Sequence, residues 1–324
     1  MSINQFFKKL PIPMCGLILG LVSLGNLLVS VQHPVIGETY CLLGFILMLL
    51  VVSKLIFTLT HALQSLHDPI VASVSPTFTM AWMVLCVFFQ RLFPHASWVK
   101  GLWLVAVGLH FVLMIYFVVK HIFPVSITMQ DIYPSWFITF VGIGVIPNTA
   151  SNFYPSLGPV MLWVALFLYF LLLPVLIRRG LQAKQMPEGT LPLLTIIAAP
   201  GSLCLAGYLS AGLPIYQPLV VFMLVLSQLL YVIILVVLTR LVRLPFYPSY
   251  AAFTFPLVIS ATAVIKVQTV FPANHWLSLL GRLELSLALL MVSYVTVRYL
   301  VYLFVAETGS TQIVKSIQNK KDSV

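Results

Sequence analysis

One apolar stretch, residues 250–266, holds the residues that could control the passage of a charged solute. Its sequence, YAAFTFPLVISATAVIK, places two phenylalanines before a proline and small polar residues after it. Proline leaves one backbone carbonyl of a membrane helix without its N–H donor, which suits a helix beside a cavity, where a side chain or water replaces that donor. We therefore predict that this stretch lines a pore. The candidate pore-lining residues in it are Phe253, Phe255, Pro256, Ser260 and Thr262.

Two residues of the stretch have more specific predicted roles. A phenyl ring in a narrow apolar pore blocks an ion by filling the bore and by excluding the water that the ion would carry, and Phe255 is the predicted obstruction. Lys266 lies near the outer end of the stretch, where an ammonium in a pore without acidic side chains favours anions. The alternative for Lys266 is that it snorkels to the membrane interface as an anchor.

The composition is that of a membrane protein with many spans. The chain has 324 residues, of which 61% are hydrophobic and 7% charged, and its mean hydropathy is +1.08. The formal net charge is +10, but the basic residues stand singly or in pairs between apolar runs, so membrane topology explains them better than nucleic-acid binding. Lys8 and Lys9 lead into the first apolar run, and no cleavage site of a signal peptide is expected there.

The sequence predicts an all-α integral membrane protein with ten transmembrane helices. A bilayer core of about 30 Å requires about 20 apolar residues for each helix. The predicted limits are a cytoplasmic N-terminus at 1–12, a single transmembrane domain at 13–305 and a polar cytoplasmic tail at 306–324. The predicted spans are 13–31, 36–59, 72–93, 99–120, 134–152, 158–177, 190–211, 216–240, 249–269 and 278–305.

The distribution of basic residues predicts the orientation. Of the 17 lysines and arginines, thirteen fall on the side that holds both termini. The other side has only Arg91, Lys100, Lys266 and Arg282. Cytoplasmic segments carry the excess of positive charge, so we expect both termini in the cytoplasm and the protein in a cell membrane of the bacterial inner-membrane type.

The odd-numbered spans share a pattern that indicates an internal repeat. Each is entered through proline from the cytoplasmic side, about every 60 residues, which is the length of two spans with two short loops. These spans also contain small residues and breakers, which predicts an inner ring of odd spans around a central pore. The alternative is that the glycines serve only close helix packing. The candidates outside the ninth span are Gly16, Gly20, Pro76, Gly142, Gly144, Pro200 and Gly201.

Catalytic and metal-binding patterns are missing from the sequence. It contains no Walker loop, GxSxG elbow, HExxH motif or CxxC pair. None of the seven acidic residues lies at the centre of an odd span, which disfavours coupling of transport through a carboxylate. His110 lies on an even span, where packing is a better interpretation than proton relay. We therefore predict no enzyme activity, no metal and no cofactor.

Several motifs resemble the tellurite-resistance/C4-dicarboxylate transporter family, which includes TehA-like bacterial proteins and the plant slow-type anion channels. The ninth-span stretch is one; PSWFITFVG at 134–142 and AAPG at 198–201 are others, and residues 11–24 keep the general form of the family's opening motif. Two departures are visible. Residues 11–16 read PIPMCG where relatives have Pro-x-Gly-Tyr-Phe-Gly, and Ile143 stands where relatives in the channel branch often have a polar residue.

The resemblance implies five helical hairpins with quasi-five-fold symmetry and odd helices that line a pore. It also implies a homotrimer with one pore per subunit and a phenylalanine plug in the ninth helix, to which Phe255 corresponds. The predicted function is a channel or transporter for small inorganic or organic anions. The alternatives are a proton-linked carrier of C4-dicarboxylates such as malate and an exporter of oxyanions such as sulfite or tellurite.

Overall fold

Helices make up the whole regular structure of the part of the chain that the computed structural model describes, residues 3–124 and 126–305. No strand occurs within those ranges. The predicted tail at 306–324 lies outside them, as do the first two residues of the predicted N-terminal segment. The α-helices are α1 (Ile3–Lys9), α2 (Met14–Ser30), α3 (Pro34–Phe57), α4 (Leu59–Ser65), α5 (Pro69–Val74), α6 (Thr77–Leu92), α7 (Ser97–Phe117), α8 (Trp136–Val141), α9 (Val145–Thr149), α10 (Leu157–Leu181), α11 (Ala199–Tyr208), α12 (Gln217–Leu241), α13 (Phe255–Val270) and α14 (His275–Leu300).

Shorter 3-10 and π segments continue several of these helices. The 3-10 segments are Gly142–Gly144, Ala150–Asn152, Ala183–Gln185, Glu188–Ala198 and Pro248–Phe253, and the π segments are Val118–Ile122 and Val301–Val305. Joined in this way, eight helices among the described residues are long and apolar enough to cross a membrane. They are Pro34–Phe57, Pro69–Leu92, Ser97–Ile122, Leu157–Leu181, Glu188–Tyr208, Gln217–Leu241, Pro248–Val270 and His275–Phe304.

The two remaining predicted spans differ from these eight. The first corresponds to α2, which has 17 residues and is apolar. The fifth is divided into α8, Gly142–Gly144, α9 and Ala150–Asn152. Glycine at 142 and 144 and Pro147 weaken a regular helix there, which explains why this predicted span is a series of short pieces.

Unbroken and broken helices alternate along the chain and differ in burial. Over the most apolar 18 residues of the unbroken helices α3, α7, α10, α12 and α14, between 22% and 33% of residues are buried. In the broken segments Pro69–Leu92, Glu188–Tyr208 and Pro248–Val270 the share is between 72% and 89%. The unbroken helices therefore present apolar side chains outward, as Val105, Phe167 and Leu290 do at 64–67% exposure, whereas the broken segments form the interior.

The break before α13 has a local cause. Pro256, the second residue of α13, has no N–H to donate to the carbonyl of Ala252 four residues earlier. Thr195, from the preceding broken segment, supplies the missing donor, with its Oγ1 at 2.6 Å from that carbonyl oxygen. Of the two expected replacements for the missing N–H donor, a side chain or water, the structure has a side chain. The position of Pro256 differs from the expectation that it kinks a continuous helix. It lies in the first turn of a new α-helix that follows a 3-10 segment, and the first turn of a helix tolerates proline.

Candidate functional site

Two cavities lie among the broken segments. The inner cavity, named for the predicted cytoplasmic side, has a volume of about 50 Å³, and the outer cavity has about 220 Å³. Both are lined by residues from all five odd predicted spans. The inner cavity is bordered by Pro13, Gly16, Leu19, Val74, Thr77, Met80, Phe137, Ile138, Val141, Gly142, Leu193, Ile196, Ala199, Pro200, Leu203, Ser249, Ala251, Ala252, Phe255 and Pro256. The outer cavity is bordered by Ser23, Asn26, Leu27, Ser30, Val84, Val87, Val145, Asn148, Thr149, Leu203, Phe255, Ile259, Thr262, Ile265 and Lys266.

On α2 and α13, one helix face extends from the inner cavity to the outer one. Along α2 the lining residues Gly16 and Leu19 of the inner cavity are followed by Ser23 and Asn26 of the outer cavity. Residues three or four positions apart share a face of a helix. The same spacing continues along α13 through Phe255, Ile259, Thr262 and Lys266. The two cavities therefore follow each other along one direction through the helices.

Phe255 and Leu203 separate the cavities. Each of these two side chains lines both cavities, and they are only 8% and 3% exposed. Phe255 is the first residue of α13, and Leu203 lies in the middle of α11. An aromatic ring and a branched aliphatic side chain are thus the apolar residues that the two cavities share.

The predicted residues fall into two groups by position. Phe255 lines both cavities, Gly16, Gly142, Pro200 and Pro256 line the inner one, and Thr262 and Lys266 line the outer one. The other predicted pore-lining residues border neither cavity: they are Phe253, Ser260, Gly20, Pro76, Gly144 and Gly201.

Packing explains the positions of the second group. The Phe253 ring is fully buried, with its centroid 4.7 Å from that of Tyr250, and Ser260 Oγ accepts a hydrogen bond from Gln228 Nε2 at 3.2 Å. The three glycines lie at close helix contacts. A Cβ at Gly20 would be 2.4 Å from Thr254 Oγ1, one at Gly144 3.1 Å from the Leu203 side chain, and one at Gly201 2.9 Å from the Tyr169 hydroxyl. Pro76 precedes the first residue of α6.

Apart from Thr262 and Lys266, the polar lining of the outer cavity was not predicted. It includes Asn148, whose Nδ2 donates to the carbonyls of Gly144 and Leu203 at 2.8 and 3.1 Å, and Asn26, whose Nδ2 donates to Val84 O at 3.1 Å. Positions three or four residues apart share one face of a helix. Counting in such steps from Gly16 and from Gly142 is the sequence signal that leads to these residues. The unpredicted polar lining residues are Ser23, Asn26, Ser30, Asn148 and Thr149.

Positive charge at the outer cavity lacks an acidic partner. Lys266 Nζ donates to Ser210 Oγ, and among the described residues no carboxylate forms an ion pair with it. Arg91 also reaches the lining, since its guanidinium donates to Asn26 Oδ1 at 2.6 Å, but Glu38 lies 3.2 Å from it and offsets its charge. Neither cavity is lined by an acidic side chain. Lys266 is therefore the charged side chain that lines the outer cavity, with no acidic side chain beside it in the lining.

The site contains polar groups and charge but no set of groups for bond chemistry. Within residues 3–124 and 126–305, no three His, Cys, Asp or Glu residues are grouped to hold a metal ion. The cysteines at 15, 41, 86 and 204 are buried and unpaired by disulfide bonds. The outer cavity offers hydroxyl, amide and ammonium groups, and the apolar side chains of Phe255 and Leu203 lie between it and the inner cavity.

The fold defines a polytopic helical membrane protein with two cavities aligned along its interior. The family whose members are described as voltage-dependent anion channels matches residues 9–300, and the chain belongs to this family, SLAC1. The match covers nearly the whole chain and confirms the resemblance that the motifs indicated.

Two archaeal relatives agree with this assignment at the level of transport. Uncharacterized transporter MJ0576 of Methanocaldococcus jannaschii is 26% identical over 285 residues, which are 76% of this chain and 81% of the relative. Uncharacterized transporter MJ0762 of the same organism is 25% identical over 286 residues, 78% of this chain and 82% of the relative. The protein is thus a membrane protein of an anion channel and transporter family.

Proposed function

We propose that this protein is an anion channel whose pore joins the inner and outer cavities and is closed at Phe255. The observation that carries the proposal is that Phe255 and Leu203 each line both cavities. The two side chains stand in the direct line between the cavities, so an ion can pass only if the phenyl ring moves aside. Membership of the anion channel family supports the nature of the ion.

The pore is formed by the five odd spans in a ten-span fold. In this proposal α2 and the series from α8 to Ala150–Asn152 cross the membrane together with the eight longer helices, and five hairpins surround the axis with quasi-five-fold symmetry. The alternation of buried broken segments with outward-facing unbroken helices supports it. So does the fact that each cavity draws its lining from the same five segments.

Anion selectivity follows from charge. Lys266 faces the outer cavity with a hydroxyl as its only hydrogen-bond partner among the described residues, and no acidic side chain lines either cavity. An anion that enters the outer cavity meets an ammonium and several hydroxyl and amide groups, whereas a cation meets no compensating charge.

The assembly and orientation belong to the same proposal. The distribution of basic residues supports cytoplasmic termini and a location in the cell membrane. The outward apolar faces of the unbroken helices suit lipid and also a second subunit, and we propose a homotrimer with one pore in each subunit. Light scattering of the purified protein in detergent tests this: a mass of three chains supports the trimer, and a mass of one chain excludes it.

Flux measurements in proteoliposomes test the function and identify the anion. Chloride, nitrate, malate and sulfite are compared side by side, each with its own gradient and with no pH gradient. A channel passes anions down that gradient alone, and we expect a current that reverses at the anion equilibrium potential. In a second measurement a pH gradient is imposed. It drives malate or sulfite flux against the anion gradient if the protein is a proton-linked carrier of malate-like dicarboxylates or a proton-driven oxyanion exporter.

A further inference from the structure

An acidic side chain is buried near the middle of the membrane, away from both cavities. Glu284 of α14 is 3% exposed, and neither of its carboxyl oxygens has a hydrogen-bond partner. It lies nine residues after His275, the first residue of α14, or about 14 Å along the helix at 1.5 Å per residue. This distance is about half the thickness of a bilayer core.

The neighbours of Glu284 are polar but do not neutralise a negative charge. Gln228 of α12 and Ser260 of α13 lie within hydrogen-bonding reach of the carboxyl group, but in the arrangement described Gln228 Nε2 donates to Ser260 Oγ at 3.2 Å and neither carboxyl oxygen receives a well-aligned hydrogen bond. Tyr231 of α12 is the titratable group that faces Glu284, and its hydroxyl is also buried without a partner. Hydroxyl and amide groups thus surround the acid without satisfying it.

No cation among the packed elements reaches Glu284. The charged residue of α12 is Arg240, at the far end of that helix, and that of α13 is Lys266, which bonds to Ser210. α2 carries no charged residue, and the 3-10 segment Pro248–Phe253 contributes Tyr250, which donates to the Leu244 carbonyl at 2.6 Å. On α14 itself the nearest charged residue, Arg282, is exposed.

A carboxylate in such a place is costly. An ionised acid buried without a hydrogen bond or a counter-charge is far less stable than the neutral acid. The arrangement described, with the gate closed, is therefore that of a protonated Glu284. A proton also needs no space, whereas a metal cation needs several oxygen ligands around a cavity, and neither cavity is lined by Glu284.

We propose that Glu284 is a proton-binding site whose occupancy holds the pore closed. Formation of the carboxyl O–H bond stabilises the packing of α14 and α12 against α13, and loss of that proton to the aqueous phase favours a rearrangement that solvates the carboxylate. Ser260, beside Glu284, follows Phe255 by five residues on α13, about 7.5 Å along the helix. A shift of α13 at Ser260 therefore moves the gate; this step rests on the gate proposed above.

The direction of the pH effect follows from linkage. The closed arrangement binds the proton more tightly than the open one, so acid favours closure and alkali favours conduction. The test is chloride flux in proteoliposomes at equal pH on both sides, from about pH 5 to about pH 9, a range that includes the pKa values known for buried glutamates. We expect the flux of the parent protein to rise about fivefold or more with pH, the lower end of typical coupling.

Variants separate this proposal from a merely structural role. Glu284→Gln mimics the neutral acid, and we expect a low flux that does not change with pH. Glu284→Asp keeps the acid and should keep the rise. Ser260→Ala removes a hydroxyl that could solvate the ionised carboxylate, so the midpoint should move to higher pH; this variant also serves if Glu284→Gln yields no folded protein.

Three further outcomes would contradict part or all of this proposal. Phe255→Ala should give high flux at every pH, because the gate that the proton controls is gone. If Glu284→Gln loses the pH dependence but the flux of Phe255→Ala equals that of the parent, the proton site is supported and the gate at Phe255 is refuted. Flux in Glu284→Gln that rises with pH as in the parent overturns the proposal. A flux that responds to exchange of sodium for potassium at constant pH, and not to pH, also overturns it in favour of a cation site.

Discussion

Phe255 and Leu203, from α13 and α11, are the two side chains that line both the inner and the outer cavity. The boundary they form is apolar, and it is flanked on the outer side by the amide of Asn148, which donates to the backbone carbonyl of Leu203 at 3.1 Å. In the proposed pore, a solute would leave these polar groups and meet a phenyl ring and an aliphatic side chain. The location of this boundary determines which substitutions are informative.

The charge of Lys266 can be tested by its salt dependence. We expect Lys266→Gln to lower anion flux about fivefold at low ionic strength, because an ammonium within about 4 Å of an anion contributes ~1 kcal/mol in a watery environment. The loss should shrink as salt rises, since the Debye length falls from about 30 Å at 0.01 M to about 10 Å at 0.1 M. Ser210→Ala, which keeps the charge, is the control. Equal salt dependence in parent and Lys266→Gln would make Lys266 an interfacial anchor.

The contact between Gly20 and the residue before the gate can be tested by adding one methyl group. A Cβ at Gly20 would lie 2.4 Å from Thr254 Oγ1 and 3.2 Å from the Phe255 nitrogen. We expect Gly20→Ala to destabilise the fold by about 1–3 kcal/mol, the usual cost of overpacking, and to lower the thermal unfolding temperature in detergent.

Gly16 provides the matched control one turn away. A Cβ there would meet the Ala251 Cβ at 3.2 Å, a contact that a small shift relieves. Gly16→Ala should therefore leave the unfolding temperature close to that of the parent. Equal losses from both variants would show that the Thr254 contact has no special role.

The predicted orientation can be tested with a reporter fused after Val324. The thirteen-to-four distribution of basic residues predicts that this end is cytoplasmic. A reporter that is active only outside the cytoplasm should then be silent, and one that is active only inside should give full signal. The reverse pattern would disprove the ten-span orientation.

The sequence predicted those features that follow from local chemistry. Hydropathy identified the apolar helices, and proline and glycine, which weaken a regular helix, marked the broken fifth, seventh and ninth spans, although Pro174 lies inside the unbroken α10. The carbonyl freed by Pro256 was expected to find a side chain or water as its donor, and Thr195 is that donor. The family resemblance, carried by short motifs, was confirmed over residues 9–300.

Other features depend on rotation about helix axes, which hydropathy does not determine. Phe253 and Ser260 were placed beside the pore with Phe255, but the 3-10 segment before α13 turns Phe253 into the core against Tyr250, and Ser260 faces Gln228. Glu284 was set aside because it lies on an even span. Only packing shows that it is buried without a partner beside the helix that carries Phe255.

The role of Phe255 is tested most directly by the basal anion current of Phe255→Ala in planar bilayers. Phe253→Ala is the control: it removes a fully buried ring that lines neither cavity, at a cost of about 3–5 kcal/mol in stability, and should not raise the current. For folded Phe255→Ala we predict a current at least about tenfold above that of the parent, equal to a barrier lowered by ~1.4 kcal/mol. A well-folded Phe255→Ala protein with a current no larger than that of the parent would contradict the account.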